Sequence, residues 1–462
     1  MEFQKKSLNT KIIETKHRKI SSNFFKDYEI TVLDSLEQNE PSSMNQELPL
    51  IWNKAKGYQI FDKNGNIWID FSSGIFVTNI GHAHPNVKKA IIDTVSNDLL
   101  HNYYFPSEIR SKLTKKLIDI TPSNLNKVFL LTTGSEATEC ALKLSRIYGK
   151  KQNSKKIGIL CFDGAMHGKT LGALMMGGKP KEKKWIGNVD SNIHHIPFPY
   201  NKTCPWNEGI SHKCSESCFK KSLNKLEQDG VDLSTICSVM LESYQGWGAM
   251  FYPVDYVKAI KKWTNENDSL LIFDEIQSGF GRTGKLFAFE HYDVEPDLIC
   301  CGKGISSSLP LSAVIGSQEI VDVDPSLNST HGGNPICCAA TLASIDVLLS
   351  ENLVNESARK GKILENKLKM LQNSFPKIIS DICGMGLVFA IHFKDPLTNK
   401  LNIEIVDSII ERCLHKGLLL VRTGSGTIKI GPPLMIPDDA LIEGIEVIQE
   451  SILECVEKKN ND

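Results

Sequence analysis

The stretch "LLIFDEIQSGFGRTGKLFAFEHYDVEPDLICCGKGI", Leu270 to Ile305, decides the fold. It closes one apolar run on an acid, Asp274, and a second apolar run, "DLICC", just before a lysine, Lys303. Short apolar runs spaced by helix-length segments recur from about residue 91 to 330: "KVFLLTT", "KIGILCF", "TICSVMLE", "SLLIFDE" and "DLICCGK". That pattern predicts an α/β fold with a mostly parallel sheet covered by helices. Ligands gather outside the carboxyl ends of strands in such sheets, so Thr132, Glu242, Asp274 and Lys303 are expected to converge on one site.

Working outward, "YQIFDKNGNIWIDF" alternates apolar and polar residues on both sides of Asn64-Gly65, which predicts a hairpin. Residues 1–48 are polar and read as an N-terminal arm with one short helix. Residues 49–90 then begin a small domain, 91–335 form the large domain, and 336–462 complete the small α+β domain through "GMGLVFAIHF", "IVDSIIERCLHKG", "LLLVRT" and "TIKIGPPLMI".

The chain has 462 residues, 41% hydrophobic and 23% charged, enough for a large core, and its 53 basic and 54 acidic residues nearly cancel. No whole-chain field favours nucleic acid or an acidic membrane surface, so small molecules are the expected partners. There is no apolar run of about 18 residues and no apolar core of signal-peptide length at the N-terminus, which predicts a cytoplasmic, non-membrane protein. Thirteen cysteines, an odd number scattered over a long chain, predict reduced thiols rather than a disulfide framework.

Three features carry chemistry. "TTGSEATECALKLSRIYG" sets Gly134 and Ser135 between a strand and a helix with apolar positions Ala137, Ala141, Leu144 and Ile147. Its first-turn N–H groups suit a phosphate, although a serine there also serves as an ordinary cap. Asp274 at a buried strand end needs a partner, either a structural ion pair or a protonated ring nitrogen. Lys303 beyond "DLICC" is either a surface lysine or a partly desolvated amine able to form a Schiff base with an aldehyde. One ligand meets all three demands: pyridoxal 5'-phosphate has a phosphate, a basic ring nitrogen and an aldehyde.

With "TTGSEA", "MHGKTLGAL" and "HGGNP" in order around the opening stretch, the chain resembles the class III, or omega-type, pyridoxal-phosphate aminotransferases of fold type I, relatives of the 4-aminobutyrate, ornithine and acetylornithine enzymes. The resemblance covers most of the chain beyond the arm. It implies Lys303 as the Schiff-base lysine, Asp274 at the pyridine nitrogen, Gln277 near the ring hydroxyl, Gly134 and Ser135 on the phosphate, and Glu242 near the cofactor. Met166 and His167 stand at the pair that contacts the ring, with Met166 where relatives carry an aromatic residue. Thr330 is expected to reach the phosphate of a neighbouring subunit, which implies a homodimer with shared active sites.

For the substrate, Arg146 matches an arginine that meets a carboxylate in several relatives. Trp247 and Lys429 occupy the positions where glutamate-using relatives carry an acid and an arginine. A lysine lacks the guanidinium fork, so glutamate is not a secured donor. Trp247 is either a flat apolar pocket wall or plain packing. The implied reaction moves an amino group from an amine or 4-aminobutyrate-like omega-amino acid to a 2-oxo acid in a ping-pong cycle. An aminomutase, racemase or phospho-amine lyase of the same family is the alternative.

Two further groups stand out. Cys204, His212, Cys214 and Cys218 in "CPWNEGISHKCSESC" are donors suited to zinc. Their spacing matches no familiar finger or ribbon, so a free-thiol insertion without metal is the expectation. His82 and His84 in "GHAHP" look like a metal pair, but the resemblance makes them part of a structural turn.

Overall fold

The computed structural model describes residues 12–21, 25–46, 48–103, 105–207, 209, 212–423 and 426–461. Parts of the N-terminal arm lie outside the described residues. The chain forms two compact units, one made of residues 85–246 and 250–354, the other of 1–84, 247–249 and 355–462.

The larger unit holds a seven-stranded sheet whose strands in chain order are β1 (Lys127–Leu131), β2 (Gly158–Phe162), β3 (Ile193–Ile196), β4 (Ile236–Glu242), β5 (Leu270–Asp274), β6 (Leu298–Cys301) and β7 (Ser312–Gly316). Their order across the sheet is β1-β7-β6-β5-β4-β2-β3. Neighbours from β6 to β3 pair in parallel, and β7 runs antiparallel to both β6 and β1. All five apolar runs read from the sequence are strands of this sheet. Sequence reasoning missed β3 and β7.

The helices of this unit are α1 (Pro85–Ser96), α2 (Glu108–Asp119), α3 (Gly134–Gln152), α4 (Glu216–Gln228), α5 (Val254–Glu266) and α6 (Pro335–Ser350), among shorter ones. The sequence starts α3 firmly. Thr133 Oγ1 accepts from the Glu136 N–H at 3.3 Å, and Glu136 Oε2 accepts from the Thr133 N–H at 2.8 Å, a reciprocal capping box. Ala137, Ala141 and Leu144 then face the sheet in one core with Ile159, Cys161, Met240, Ile272 and Val314. The expected domain boundary at 335/336 moves to 354/355, because α6 packs against α1 and α2 of the large unit. Helical patterning continues across both positions, so the sequence carries no break there.

In the other unit, strands Gln59–Phe61 and Ile67–Asp70 pair antiparallel around the Asn64-Gly65 turn, as the sequence predicts. Asp62 Oδ1 organises that turn by accepting from the N–H groups of Asn64 and Asn66, both at 2.8 Å. The arm's helix spans Asp27–Asn39, and short strands Ile13–Glu14 and Lys19–Ile20 join the same sheet. A four-stranded antiparallel sheet and the terminal helix Asp438–Asn461 complete the unit. His82 is a structural residue here, with Nε2 2.7 Å from Asp70 Oδ2 and the Trp52 ring edge-on. No single helix among the described residues is long and apolar enough to cross a membrane.

A glycine sets how closely α3 approaches the sheet. A Cβ at Gly149 would lie 2.3 Å from Lys156 O and 2.6 Å from Cys237 Cβ. Alanine gains about 1 kcal/mol in helix propensity, but overpacking against a backbone carbonyl costs about 1–3 kcal/mol or more. Gly149→Ala is therefore expected to lower the thermal unfolding midpoint. A raised midpoint would show that propensity outweighs the contact.

Candidate active site

Asp274 ends β5 level with Glu242 of β4 on one side and Cys300 of β6 on the other. Its carboxylate is buried and bonded on both oxygens: Oδ2 lies 2.9 Å from His167 Nδ1, and Oδ1 accepts from the Ile276 N–H at 3.1 Å. Donation from Nδ1 leaves His167 Nε2 buried without a hydrogen-bond partner. The Thr138 hydroxyl on α3 fixes the same residue by donating to His167 O at 2.7 Å.

Glu242 is buried one strand over and ties two loops together. Its Oε2 accepts from the Met166 N–H at 3.1 Å and its Oε1 from the Gly246 N–H at 3.1 Å. Met166 itself is exposed. Gln277, on the turn after β5, accepts at Oε1 from the Tyr244 hydroxyl at 3.0 Å.

Lys303 lies just beyond β6 with φ of 44°, a left-handed conformation that costs a non-glycine residue free energy and marks functional sites. Burial pushes its amine below the ordinary lysine range, while the negative charges of Asp274 and Glu242 oppose that shift. Desolvation therefore outweighs the two carboxylates, and the net shift is downward.

The start of α3 adjoins this lysine. A Cβ built at Gly134 would sit 3.0 Å from the Ile276 side chain, and one at Gly302 would lie 3.1 Å from Ile276 and 3.7 Å from Gly134 Cα. The two glycines allow that approach without displacing the Ile276 side chain. The N–H groups of Gly134 and Ser135 belong to a helix's first turn and have no intrahelical acceptor. Ser135 Oγ accepts from the Lys169 N–H at 3.2 Å, closing α3 onto the loop that carries His167.

A buried acid, a desolvated lysine and a helix N-terminus therefore meet around glycine-lined backbone. They fit pyridoxal phosphate: Asp274 for the ring nitrogen, Lys303 for the aldehyde carbon, and Gly134 and Ser135 for the phosphate.

Not every sequence-predicted residue joins them. Arg146 does not. It lies twelve residues into α3, about 18 Å of helix from Gly134, where Nε donates to Ile157 O at 2.9 Å and a terminal nitrogen pairs with Asp190 at 2.6 Å. Ile157 precedes the amino end of β2, the wrong end of a parallel sheet for this site. Burial would raise the Asp190 carboxyl, but bonds from Asn192 and Arg146 hold it below its ordinary value. Thr330 is exposed on the turn before α6.

Trp247 and Lys429 belong to the other unit. The Thr427 hydroxyl donates to Trp247 O at 3.3 Å, and Lys429, two residues further along strand Thr427–Ile430, lies on the same strand face. Lys429 is buried, with Nζ 4.4 Å from the Phe76 ring centroid. Cys204, His212, Cys214 and Cys218 converge within 4.8 Å of one another at the start of α4.

Glu275 escaped sequence reasoning. It is fully buried and takes four hydrogen bonds, from the hydroxyls of Ser243 and Ser278 and the N–H groups of Ala288 and Phe289. Burial raises its carboxyl pKa, and those four donors limit the rise. It holds the 275–289 loop that positions Gln277. The alternation of a strand was the available signal: an acid next to Asp274 must point to the opposite face.

The sequence profile of class-III aminotransferases matches residues 42–452, and the chain belongs to that family. A probable 4-aminobutyrate aminotransferase of Bacillus subtilis (strain 168) is 34% identical over 411 residues, 86% of this chain and 92% of that one. A putrescine aminotransferase of Pectobacterium atrosepticum is 32% identical over 83% of this chain and 78% of that one. Among solved structures, a transaminase from the marine bacterium Virgibacillus superposes with a TM-score of 0.83 at 26% identity, over 93% of this chain and 99% of that one. The protein is a pyridoxal-phosphate-dependent transaminase of fold type I.

Borohydride reduction of the holoenzyme is expected to fix the cofactor's mass on the peptide carrying Lys303. Lys303→Ala should lose that adduct and slow the amine half-reaction by about 10²–10⁴-fold or more. Fixation on a different lysine would remove Lys303 from this role.

Proposed function

We propose that the amino donor is an amine or an omega-amino acid of the 4-aminobutyrate type, that the acceptor is a 2-oxo acid, and that the two half-reactions share one site in ping-pong order. What carries this reading is the class-III match over residues 42–452; the sequence resemblance adds that Trp247 and Lys429 stand where glutamate-using relatives have an acid and an arginine. Trp247 offers a flat apolar wall, and Lys429 offers one point charge without a fork. Arg146, committed to Asp190, is not offered to a donor carboxylate. The names of the B. subtilis and P. atrosepticum relatives, with terminal amines in both donors, point the same way.

In this reading pyridoxal phosphate supplies an aldehyde carbon for the donor's nitrogen and a ring that accepts electrons. Asp274, held by His167 and Ile276, keeps the proton at the ring nitrogen. Lys303 would hold the aldehyde carbon in the resting enzyme and, with its amine free once a donor is bound, would serve as the base for the proton on the donor carbon that bears nitrogen. Gly134 and Ser135 would hold the phosphate.

We also infer a homodimer in the cytoplasm, with Thr330 directed to the neighbouring subunit's phosphate. Ile92, Leu100 and Phe105 are 58%, 55% and 69% exposed, large apolar side chains that a second subunit could bury. Asn334 Nδ2 donates to Leu100 O at 2.8 Å and so links that group to the Thr330 turn. All thirteen cysteines are free thiols, in keeping with a reducing compartment. Sedimentation of the holoenzyme is expected to give a dimer, and Ile92→Asp to weaken it. A monomeric, fully active holoenzyme would refute the shared site.

A donor panel without oxo acid tests the reaction. 4-Aminobutyrate or a diamine is expected to convert the cofactor stoichiometrically, with loss of its visible band, and a 2-oxo acid to restore it. Turnover without net cofactor conversion, or release of phosphate, would instead indicate an isomerase or lyase. Lys429→Ala is expected to raise KM for the 2-oxo acid by about 10–100-fold, the worth of one charged hydrogen bond, with kcat changed much less. An unchanged KM would remove Lys429 from the acceptor site.

A further inference from the structure

The cluster ahead of α4 takes no part in the transaminase site. Cys204 Sγ lies 3.9 Å from Cys218 Sγ, and His212 Nε2 lies 3.6 Å from Cys214 Sγ and 3.7 Å from Cys218 Sγ. With zinc–sulfur bonds of about 2.3 Å and zinc–nitrogen bonds of about 2.05 Å, a tetrahedral ion sets sulfur–sulfur edges near 3.8 Å and sulfur–nitrogen edges near 3.6 Å. The observed separations match both kinds of edge.

The three thiols are buried, at 7%, 4% and 5% exposure for Cys204, Cys214 and Cys218, and the partly exposed His212 turns a ring nitrogen toward them. A core of free thiols needs no imidazole nitrogen among them. A single disulfide would use two sulfurs and leave the third thiol and the imidazole unexplained. A two-iron cluster would divide its ligands between two ions, whereas these four donors all lie within 4.8 Å of one another.

We propose that Cys204, Cys214, Cys218 and His212 form a closed structural site for one zinc ion, the three thiols giving up their protons to solvent as the metal binds. Three thiolates and an imidazole complete tetrahedral coordination and leave no position for substrate. Among the described residues, backbone N–H groups hold the ligand-bearing segment through hydrogen bonds. The Cys214 N–H donates to Asn201 Oδ1 at 2.8 Å, the His212 N–H to Gly209 O at 3.0 Å, and the Asn207 N–H to Cys204 O at 3.1 Å. Cys218 sits buried in the first turn of α4.

The ion would pin the segment from Cys204 to Cys218 onto α4. The next residue, Phe219, packs edge-on against Tyr256 of α5 with ring centroids 5.5 Å apart. Helix α5 in turn lies on β4 and β5, the strands that end in Glu242 and Asp274. The site is therefore a brace behind the catalytic sheet rather than part of the chemistry.

The test uses full-length holoenzyme purified under reducing, chelator-free conditions from zinc-supplemented medium. Elemental analysis is expected to give about one zinc per protomer. In the double variant Cys214→Ser/Cys218→Ser zinc should fall to trace, pyridoxal phosphate per protomer should be kept, and the thermal midpoint should drop. Replacing zinc by cobalt(II) should produce thiolate-to-cobalt charge transfer and the intense visible bands of a tetrahedral ion. His212→Cys should keep the metal and shift that spectrum. Wild-type protein with less than about a tenth of a zinc per protomer and no tetrahedral cobalt spectrum would overturn the site, as would an iron–sulfur chromophore, a Cys204–Cys218 disulfide in the reduced preparation, or zinc undiminished in the double variant. Should the serine variant fail to fold, the wild-type stoichiometry, the cobalt spectrum and His212→Cys still decide the question.

Discussion

A carboxylate buried at the end of a strand cannot be left alone, and the large unit is arranged around meeting that demand at Asp274. Desolvation of an unpartnered acid costs several kcal/mol. The protein answers with His167 on one oxygen and the Ile276 N–H on the other. Because β5 is register-locked between β4 and β6, fixing Asp274 also fixes Glu242 beside it and the strand that leads to Lys303. The acid, the lysine and the start of α3 are thus consequences of one sheet register. Shifting β5 by a single residue would send Asp274 to the other face.

The same alternation explains why two adjacent acids do different work. Asp274 faces the site, and Glu275, on the opposite side, is consumed by four donors that bind the following loop to the body. Asp274 has one partner on each oxygen, whereas Glu275 has two on each. Nothing in the letters "DE" distinguishes them; the pleat of the strand does.

This contrast marks what was legible in the sequence. Strands buried on both faces announced themselves as unbroken apolar runs, and five of the seven were readable that way. The missed ones carry a weaker signature: Ile193–Ile196 is an edge strand with two histidines, and Ser312–Gly316, though fully buried, has only Ala-Val-Ile between a serine and a glycine. The residues expected to hold the cofactor stand at strand ends and at a helix start, positions that sequence order preserves, so motif matching could single them out together. It misplaced Arg146, since a residue's identity does not say how far along a helix it sits or that Asp190 will claim it. The Cys204 to Cys218 donors were visible one by one, but their irregular spacing hid a convergence that only the folded loop creates.

The two lysines singled out by the sequence show how environment divides one side chain into two functions. Lys303 is desolvated and strained, with its amine pKa lowered, which suits a nucleophile. Lys429 is buried, at 2% exposure, and lies over the face of Phe76, whose quadrupole attracts a cation. The backbone goes to some length to supply that ring. Ser73, Gly74, Ile75 and Phe76 all have positive φ, and a Cβ at Gly431 would lie 1.9 Å from the Phe76 ring. Holding three non-glycine residues in the left-handed region costs about 1–2 kcal/mol each, so neighbouring structure must fix the ring in place; the Ser73 hydroxyl, donating to Gly431 O at 2.6 Å, is one such constraint. Strain of this kind persists where a side chain must be aimed, and here it aims an aromatic face at a buried charge.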